Sequence, residues 1–436
     1  MRTVAAGAAM AVAFLLIYLP DAGHGFISDD FRWIVESRSQ SVRDLIALLG
    51  TNTGFYRPVV SWSFAADHAA WGTNAFGYGL TNLILCLATA AALFTLARRL
   101  LLPPSAAFVA AGVWLFNFHA VNMAVLWLSG RTSLLVSLFS LATAHAMLAG
   151  RPLTAGGLAL LAMLSKEEAV ALPALFSAWM LLGERRARSV VRTLPLWGAL
   201  LVYIALRLPS GAFWATDAPA YYRFSFSPGL VARNALEYAD RAGTVAAVVI
   251  VAFVALTRLR TRHLTHGDRR VLGLAGLWVA ATYALTLFLP VRSSLYALLP
   301  SIGSGLAAGV VASAAALRNP RIYRYVTVGL LVAMFALSPV YRSRNARWVG
   351  LADLSERVMT TIARDASGRP AGHVVLVDSP AERFNLQSAF GGLFPEAMRL
   401  RVGEGWTGEV VSAPSDAQRP GDLSYRLSDG ALVRAD

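Results

Sequence analysis

The sequence predicts an all-α polytopic membrane protein with about eleven transmembrane helices and a small C-terminal α/β domain. Of its 436 residues, 56% are hydrophobic and only 15% are charged, and the mean hydropathy is +0.54. Uncharged apolar runs of about 16 to 22 residues recur, the length with which an α-helix crosses a hydrocarbon core of ~30 Å. Strand-type alternation is absent from these runs, so helices rather than a barrel are indicated.

The predicted spans follow one another along the first 341 residues. The segments at Leu153 and Thr244 are short for a full crossing, so broken or tilted helices are expected there. The spans lie near Thr3–Pro20, Phe76–Ala97, Ser105–Leu126, Thr132–Ala149, Leu153–Leu164, Ala169–Leu182, Thr193–Leu208, Thr244–Leu256, Val271–Leu289, Leu298–Leu317 and Tyr325–Tyr341.

The placement of basic residues predicts the orientation of the chain. With the N-terminus in the cytoplasm, sixteen arginines fall in cytoplasmic connections, whereas the short outer loops hold only Arg131, Lys166 and Arg292. An odd number of spans then puts the C-terminal domain outside, as in a multi-pass inner-membrane protein with a periplasmic tail. The net charge of +14 follows from this asymmetry, so no nucleic-acid partner is expected.

The chain divides into two predicted domains. Residues 1–341 form the transmembrane domain, whose first outer loop, residues 21–75, carries an acidic pair. In that loop Ser41 is placed to cap an amphipathic helix in the membrane interface, and Pro58 is placed to begin a second helix. Residues 342–436 form a small soluble extracytoplasmic domain with a polar helix near residues 353–363 and a strand at residues 373–378.

The acidic pair consists of Asp29 and Asp30, which follow the first span. Two adjacent carboxylates repel each other and partial burial penalises their charged forms, so one pKa is expected to rise into the range of a general base. The alternative is that one of them only caps a helix, a common role of aspartate. A divalent metal at the pair is the weaker option, since only His24 and Glu36 lie near it in sequence.

Three cations interrupt the positive-inside pattern on the predicted outer face. Lys166 is the only lysine in the chain, and it is either a snorkelling helix anchor or a point charge for a phosphate. Arg131 and Arg292 are the other two. Together with the acidic pair they predict a site for a phosphorylated, membrane-borne substrate. His119 is predicted to be a polar residue at a helix end, with a role in the site as the alternative.

Several segments resemble a known family in the same order and on the same predicted face. Residues 55–58 and 71–82, containing Tyr56 and Arg57, resemble the YRP and WG…NxFGYHLxN signature of the transmembrane and tetratricopeptide-repeat O-mannosyltransferases. Residues 118–131 resemble the family's HPVxxxAVxWIxGR stretch, and Lys166 and Glu167 lie in a segment like its LSKE. Arg292 and Tyr296 resemble its ERxLYxPSxG element. Here Gly79 replaces the family's His, Val291 replaces its Glu, and the repeats are missing.

This resemblance implies a GT-C membrane glycosyltransferase fold and an inverting transfer. A hexose, mannose in the family, would pass from a polyprenyl-phosphate carrier to a protein, lipid or glycan hydroxyl on the outer face. The catalytic residues would be Asp29 and Asp30. Substrate-binding residues would be Tyr56, Arg57, His119, Arg131, Lys166, Glu167, Arg292 and Tyr296. No cofactor is expected, apart from the metal alternative given above.

Two other functions fit many of the same residues. A ligase or polymerase of lipid-linked glycans would use the same carrier and the same cations. A transporter or flippase for lipid-linked sugars would instead need ionisable groups near the middle of the membrane and paired repeats, and the sequence shows neither. The sequence therefore favours an enzyme whose acceptor it leaves open.

Overall fold

The computed structural model describes residues 2–38, 41–50, 54–184, 187–214, 216–412, 422–428 and 430–434. Arg185 and Arg186, in one of the basic connections, lie outside these ranges. The helices are α1 (Arg2–Tyr18), α2 (Asp29–Glu36), α3 (Val42–Ala47), α4 (Pro58–Trp71), α5 (Ala75–Arg99), α6 (Pro104–Leu115), α7 (Val121–Leu126), α8 (Arg131–Leu148), α9 (Pro152–Met163), α10 (Leu172–Glu184), α11 (Leu194–Arg207), α12 (Pro228–Thr257), α13 (His266–Tyr283), α14 (Ser301–Arg318), α15 (Pro320–Ala336), α16 (Ser338–Asp365), α17 (Leu386–Phe390) and α18 (Phe394–Arg401). The strands are β1 (Gly372–Val377), β2 (Trp406–Val411), β3 (Leu423–Ser428) and β4 (Ala431–Arg434).

The predicted all-α membrane architecture is confirmed, and each predicted span overlaps a helix. In the described part of the chain, five helices are long and apolar enough to cross a membrane, and the bent pair α15–α16 would give a sixth. Three further apolar helices are shorter, at Ala5–Asp21, Pro104–Leu115 and Pro152–Met163. The number of eleven spans therefore stays a prediction.

Two predicted spans have different boundaries in the structure. The segment Ser105–Leu126 is not one helix, because α6 ends at Leu115 and α7 begins only at Val121. The short segment at Thr244 belongs to α12, which has 30 residues. Its N-terminal half carries charged residues that a hydropathy pattern cannot recognise as part of a span.

Close packing of small residues holds the helices of the membrane domain together. α14 is buried along most of its length, and its Gly305 lies against α6: a Cβ built there would stand 2.6 Å from the carbonyl oxygen of Ala110. Gly79 on α5 packs against the backbone of Ala22 in the same way, with 2.1 Å available to a Cβ. A side chain such as the family's His does not fit there. Small residues at helix contacts are typical of membrane bundles.

The first outer loop contains the two predicted helices. Ser41 caps α3 in a capping box with Asp44: the Asp44 N–H donates to the Ser41 hydroxyl, and the Ser41 N–H donates to the Asp44 carboxylate. α4 begins at Pro58, as predicted. Trp62 on α4 donates to the carbonyl of Leu45 at 2.8 Å and so joins the two helices.

The C-terminal region is a small α/β unit, as predicted. Its sheet has the order β2-β1-β3-β4, in which β1 pairs in parallel with β2 and β3, and β3 pairs antiparallel with β4. The predicted polar helix at residues 353–363 is the C-terminal half of α16, which begins at Ser338. One continuous helix therefore crosses the predicted domain boundary at residues 341 and 342 and leads from the membrane domain to the sheet.

Candidate active site

A cavity of about 600 Å³ is lined by residues of α2, α7 and α16 and of the segments that precede α4, α8 and α14. Among the described residues that line it, Asp29 is the only carboxylate. The lining also includes a large excess of positive charge. The seven cationic side chains are Arg32, Arg57, Lys166, Arg241, Arg292, Arg344 and Arg347. Such a cavity favours anionic ligands, because the cationic side chains in its lining outnumber its single carboxylate.

Asp29 reaches the cavity as the first residue of α2. The preceding residue, Ser28, has φ 49°, a value uncommon for residues other than glycine, and its N–H donates to the carbonyl of Ala389 at 2.7 Å. This turn separates α2 sharply from the segment after α1. Burial raises the pKa of Asp29, while the charges of Arg32 and Arg57 act to lower it.

Asp30 is fully buried and has a different role from Asp29. One carboxylate oxygen accepts hydrogen bonds from the N–H and hydroxyl of Ser129, and the other accepts from the N–H of Ile27 at 3.1 Å. Burial raises the pKa of Asp30 to about 7, against the opposing effect of these hydrogen bonds. Asp30 therefore connects α2 to the loop before α8, and it does not line the cavity.

The wall formed by Arg57 and Lys166 is held by two neighbouring glutamates. Glu167 accepts hydrogen bonds from Arg57 Nε at 3.1 Å and from Nη2 at 2.7 Å, and it also lies 3.5 Å from Arg207. Burial acts to raise the pKa of Glu167, but the charge of Arg57 holds it below its ordinary value. The geometry fixes the Arg57 guanidinium, which also lies 4.1 Å above the ring of Phe55.

Lys166 is buried, with 3% of its surface exposed, at the edge of the cavity. Its ammonium group lies 2.8 Å from Glu168 and 2.8 Å from the Ser133 hydroxyl, to which it donates, and 4.7 Å from the ring centre of Tyr296. Burial lowers the pKa of Lys166, and the charge of Glu168 counteracts this. A buried ammonium with three partners is a rigid point charge rather than a flexible anchor.

A second, smaller cavity of about 120 Å³ adjoins the first. The two cavities share Arg57, Lys166, Tyr222 and Tyr296 among their lining residues. The rest of the smaller cavity combines the charged residues Glu167, Glu168 and Arg207 with a group of apolar side chains. Its apolar side chains are Phe213, Trp214, Phe224, Leu285 and Leu289. The wall of Arg57 and Lys166 thus separates the cation-lined cavity from a smaller one in which apolar side chains accompany the ion-paired residues Glu167, Glu168 and Arg207. Such a pair of cavities suits a lipid with a charged head.

Arg292 and Arg241 share one counterion. Both guanidinium groups form ion pairs with Glu237 of α12, the pair with Arg241 at 3.2 Å. Arg292 therefore lines the cavity, as predicted, but part of its charge is already compensated.

Two predicted residues lie away from both cavities. Arg131 is fully buried, forms an ion pair with Asp67 at 2.5 Å, and donates to Asn82 at 2.9 Å and to the carbonyl of Tyr78 at 3.0 Å. Contrary to the prediction, its guanidinium is used to join α4, α5 and α8. Tyr56 is also fully buried, and it lines neither cavity. Adjacency to a loop in sequence does not distinguish a residue that faces the cavity from one that faces the core.

The donor set at the acidic pair does not fit a metal ion. Asp30 uses both oxygens for hydrogen bonds within the protein, so Asp29 would be the only carboxylate ligand from the pair. In the described ranges no group of three or more His, Cys, Asp or Glu residues is placed to hold a metal. Divalent cations such as Mg²⁺ and Ca²⁺ require several oxygen ligands. We therefore derive no step through a metal.

Comparison with known proteins gives structural neighbours only, since neither a family model nor a curated protein sequence matches the chain. The archaeal oligosaccharyltransferase AglB from Archaeoglobus fulgidus, in complex with an inhibitory peptide and a dolichol-phosphate, superimposes with a TM-score of 0.50 at 10% identity, over 93% of this chain and 64% of AglB. ArnT from Cupriavidus metallidurans, bound to undecaprenyl phosphate, has a TM-score of 0.48 at 14% identity over 82% of this chain and 72% of ArnT. The chain has the GT-C fold.

The likeness to AglB shows the fold that the sequence motifs implied, and this chain spans just under two thirds of the length of AglB. Within this fold, five predicted site residues line the larger cavity together with Asp29: Arg57, His119, Lys166, Arg292 and Tyr296. Glu167 lines the smaller cavity. Order along the chain was thus a sufficient signal to find residues that line the two cavities, and their roles in binding and catalysis stay predictions.

The sequence analysis missed four cations of this GT-C cavity: Arg32, Arg241, Arg344 and Arg347. Arg241 precedes a segment interpreted as a short span, and Arg344 and Arg347 were assigned to the soluble domain. A signal was available for the last two, because arginines three residues apart lie on the same side of a helix. Only the direction of α16 shows that this side faces the cavity.

Proposed function

We propose that the chain is an inverting glycosyltransferase that moves a hexose, mannose-like, from a polyprenyl-phosphate carrier to an acceptor hydroxyl. The observation that carries this proposal is the single carboxylate, Asp29, in a cation-lined cavity that adjoins a smaller, partly apolar one. A lipid phosphate at the shared wall would put its sugar in the larger cavity and its first prenyl units in the smaller one. The dolichol-phosphate in the AglB complex is consistent with this class of carrier.

The reaction is a single displacement at the anomeric carbon. The acceptor oxygen forms a bond to that carbon from one side while the bond between the carbon and the phosphate oxygen breaks on the other, which inverts the configuration. Asp29 takes the proton of the attacking hydroxyl, for which it must be ionised. The departing phosphate keeps the bonding electron pair and gains negative charge, which Arg57 and Lys166 stabilise from fixed positions.

The membrane supplies the carrier and fixes the side of the reaction. We place the site on the outer face of the inner membrane, with the N-terminus in the cytoplasm and the C-terminal domain in the periplasm, on the basis of the arginine distribution. The amphipathic α3, with Val42 and Ile46 exposed, would lie in the interface beside the loop that carries Asp29. Membrane lipids are therefore partners of the chain.

The proposal is tested with the purified full-length chain in nanodiscs. Synthetic polyprenyl-phosphate mannose with a labelled sugar is added with delipidated envelope extract as the acceptor source, and label leaving the lipid for the extract is measured. The Asp29→Asn variant is expected to lose about 100-fold to 10,000-fold in rate, the usual contribution of a general base. Binding of undecaprenyl phosphate should be unchanged, since that residue does not hold the phosphate.

The matched control is Asp353→Asn, an exposed aspartate of α16 that does not line either cavity. It is expected to transfer sugar at the parental rate. Parental transfer by a folded Asp29→Asn variant would overturn the assignment of the base. If the parental chain did not bind undecaprenyl phosphate, the assignment of a polyprenyl-phosphate carrier would be overturned.

A further inference from the structure

The charge of the larger cavity exceeds what one carrier phosphate requires. Arg57 and Lys166 form the wall shared with the smaller cavity, and each has a glutamate partner. Arg344 and Arg347 line the same cavity from α16 and are exposed. Among the described residues neither has a carboxylate within ion-pair distance. Two uncompensated guanidinium groups on a separate element indicate a second anion.

These two arginines are presented by a fixed stretch of α16. Asn345, which lies between them, is buried and donates to the carbonyl of Ile17 at 3.0 Å and to Asp21 at 2.7 Å, and it also contacts the side chain of Asn122. The Arg344 guanidinium lies 4.8 Å above the ring of Phe118. Burial of Asn345 in this way fixes the helix backbone that presents the two arginines to the cavity.

An aromatic pair lines the cavity next to the arginines. The rings of Trp127 and Trp348 are parallel within 4°, with centroids 6.1 Å apart, and the Arg347 guanidinium lies 5.6 Å from the Trp348 ring. Trp348 Nε1 donates to Asn122 at 3.0 Å. Trp127 Nε1 is enclosed and has no hydrogen-bond partner among the described residues. Flat apolar rings at a cavity wall suit the face of a sugar.

We infer that the α16 side of the cavity is the acceptor subsite and that the acceptor is an acidic saccharide, a sugar with a phosphate or carboxylate group beside the accepting hydroxyl. The inference rests on the proposed function and specifies its acceptor. Arg344 and Arg347 hold the acidic group, and Trp127 and Trp348 hold the ring. Guanidinium groups bind both carboxylate and phosphate through paired hydrogen bonds, so the two kinds of acid share one subsite.

The test measures two binding events on the same full-length protein in phosphatidylcholine nanodiscs. Glucose 6-phosphate, glucuronate and glucose serve as probes, and their dissociation constants are determined with and without saturating undecaprenyl phosphate. We expect an acidic probe to bind at least tenfold more tightly than glucose and to bind equally well when the carrier is present. Whichever of glucose 6-phosphate and glucuronate has the lower dissociation constant shows whether the acidic group of the acceptor is a phosphate or a carboxylate.

Variants separate the two subsites. The double variant Arg344→Gln, Arg347→Gln should weaken the acidic probe at least tenfold and leave the affinity for undecaprenyl phosphate within about threefold, whereas Arg57→Gln should do the reverse. The matched control is Arg342→Gln, on the same helix, exposed and outside both cavities. Its affinities for all probes and its unfolding temperature should equal those of the parent.

Several outcomes would overturn the inference. Competition between the acidic probe and undecaprenyl phosphate would show one anion site instead of two. An equal loss in the Arg342→Gln control would show a general surface effect. Displacement of the acidic probe when phosphatidylglycerol replaces part of the phosphatidylcholine would assign the subsite to a lipid headgroup. If the parent bound the acidic probe but did not bind undecaprenyl phosphate, the proposed function would be overturned, and the acidic-sugar site would still stand.

Discussion

Phe390 of α17 stacks on Phe31 of α2, with ring centroids 5.8 Å apart and ring planes inclined by 24°. The contact joins the C-terminal unit to the helix whose first residue is Asp29. The hydrogen bond from Ser28 to Ala389 and the ion pair of Arg32 with Glu396 at 3.7 Å lie on the same interface. The C-terminal unit is therefore part of the scaffold that orients the proposed base.

Replacing Phe390 with Ala is expected to reduce catalysis more than carrier binding. Loss of a buried aromatic ring costs about 3–5 kcal/mol of stability, and a shift of Asp29 by about 1 Å can cost about 100-fold in rate. The measurements are kcat, the dissociation constant of undecaprenyl phosphate and thermal unfolding. Leu427→Ala, in the core of the sheet, is the control for destabilisation alone. An equal loss of kcat in both variants would argue against a role in orientation.

Replacing Asp30 with Asn is expected to destabilise the protein. The carboxylate accepts three hydrogen bonds, and an amide group would turn a donor towards either Ser129 or Ile27. Leaving a buried donor unsatisfied costs about 1–3 kcal/mol, so the unfolding temperature should fall. Asp29→Asn should keep the parental unfolding temperature and lose the activity. If Asp30→Asn lost activity at the parental unfolding temperature and Asp29→Asn were destabilised, the roles of the two aspartates would be the reverse of those proposed.

Asp29 and Asp30 show which features of the site can be predicted from the sequence and which cannot. Position after the first span was enough to select the acidic pair as a candidate, because this signal is local. Which carboxylate faces the cavity depends on Ser129 and Ala389, which lie 99 and 359 residues beyond Asp30 in the chain. Arg131 was assigned to the wrong surroundings for the same reason. Its partner Asp67 lies about one turn before the C-terminal end of α4, and no pattern in the sequence indicates that these two residues meet.

The pH dependence of the rate should respond to the charge of Arg32. A base must be ionised, so the rate falls as the pH falls through the pKa of Asp29. Burial raises that pKa and the positive charge of Arg32 lowers it, so Arg32→Gln should move the acid limb of the kcat/KM profile to higher pH. Arg32→Lys keeps the charge and should keep the limb near its parental position. If the acid limb of the kcat/KM profile stayed at the parental pH in Arg32→Gln, Asp29 would be excluded as the titrating base.

Carrier binding should respond to pH through Lys166. The ammonium binds phosphate only while it is charged, so affinity falls as the pH rises through its pKa. Burial lowers that pKa and Glu168 raises it, so Glu168→Gln should move the fall in affinity to lower pH. In Lys166→Arg, the guanidinium stays charged and this fall should disappear. Titrations of undecaprenyl phosphate binding between neutral and alkaline pH would measure both effects.

The buried pair of Arg131 and Asp67 should matter for stability and not specifically for the chemistry. Removing one partner leaves a charge without compensation, which costs about 3–5 kcal/mol, so Arg131→Gln and Asp67→Asn should each lower the unfolding temperature strongly. The double variant should lose less than the two single losses combined, because neither charge is then left alone. Variants that still fold should bind undecaprenyl phosphate with parental affinity, since the Arg131 guanidinium lies outside both cavities. A specific loss of carrier affinity in folded Arg131→Gln would return this residue to the phosphate site that its position in the loop first suggested.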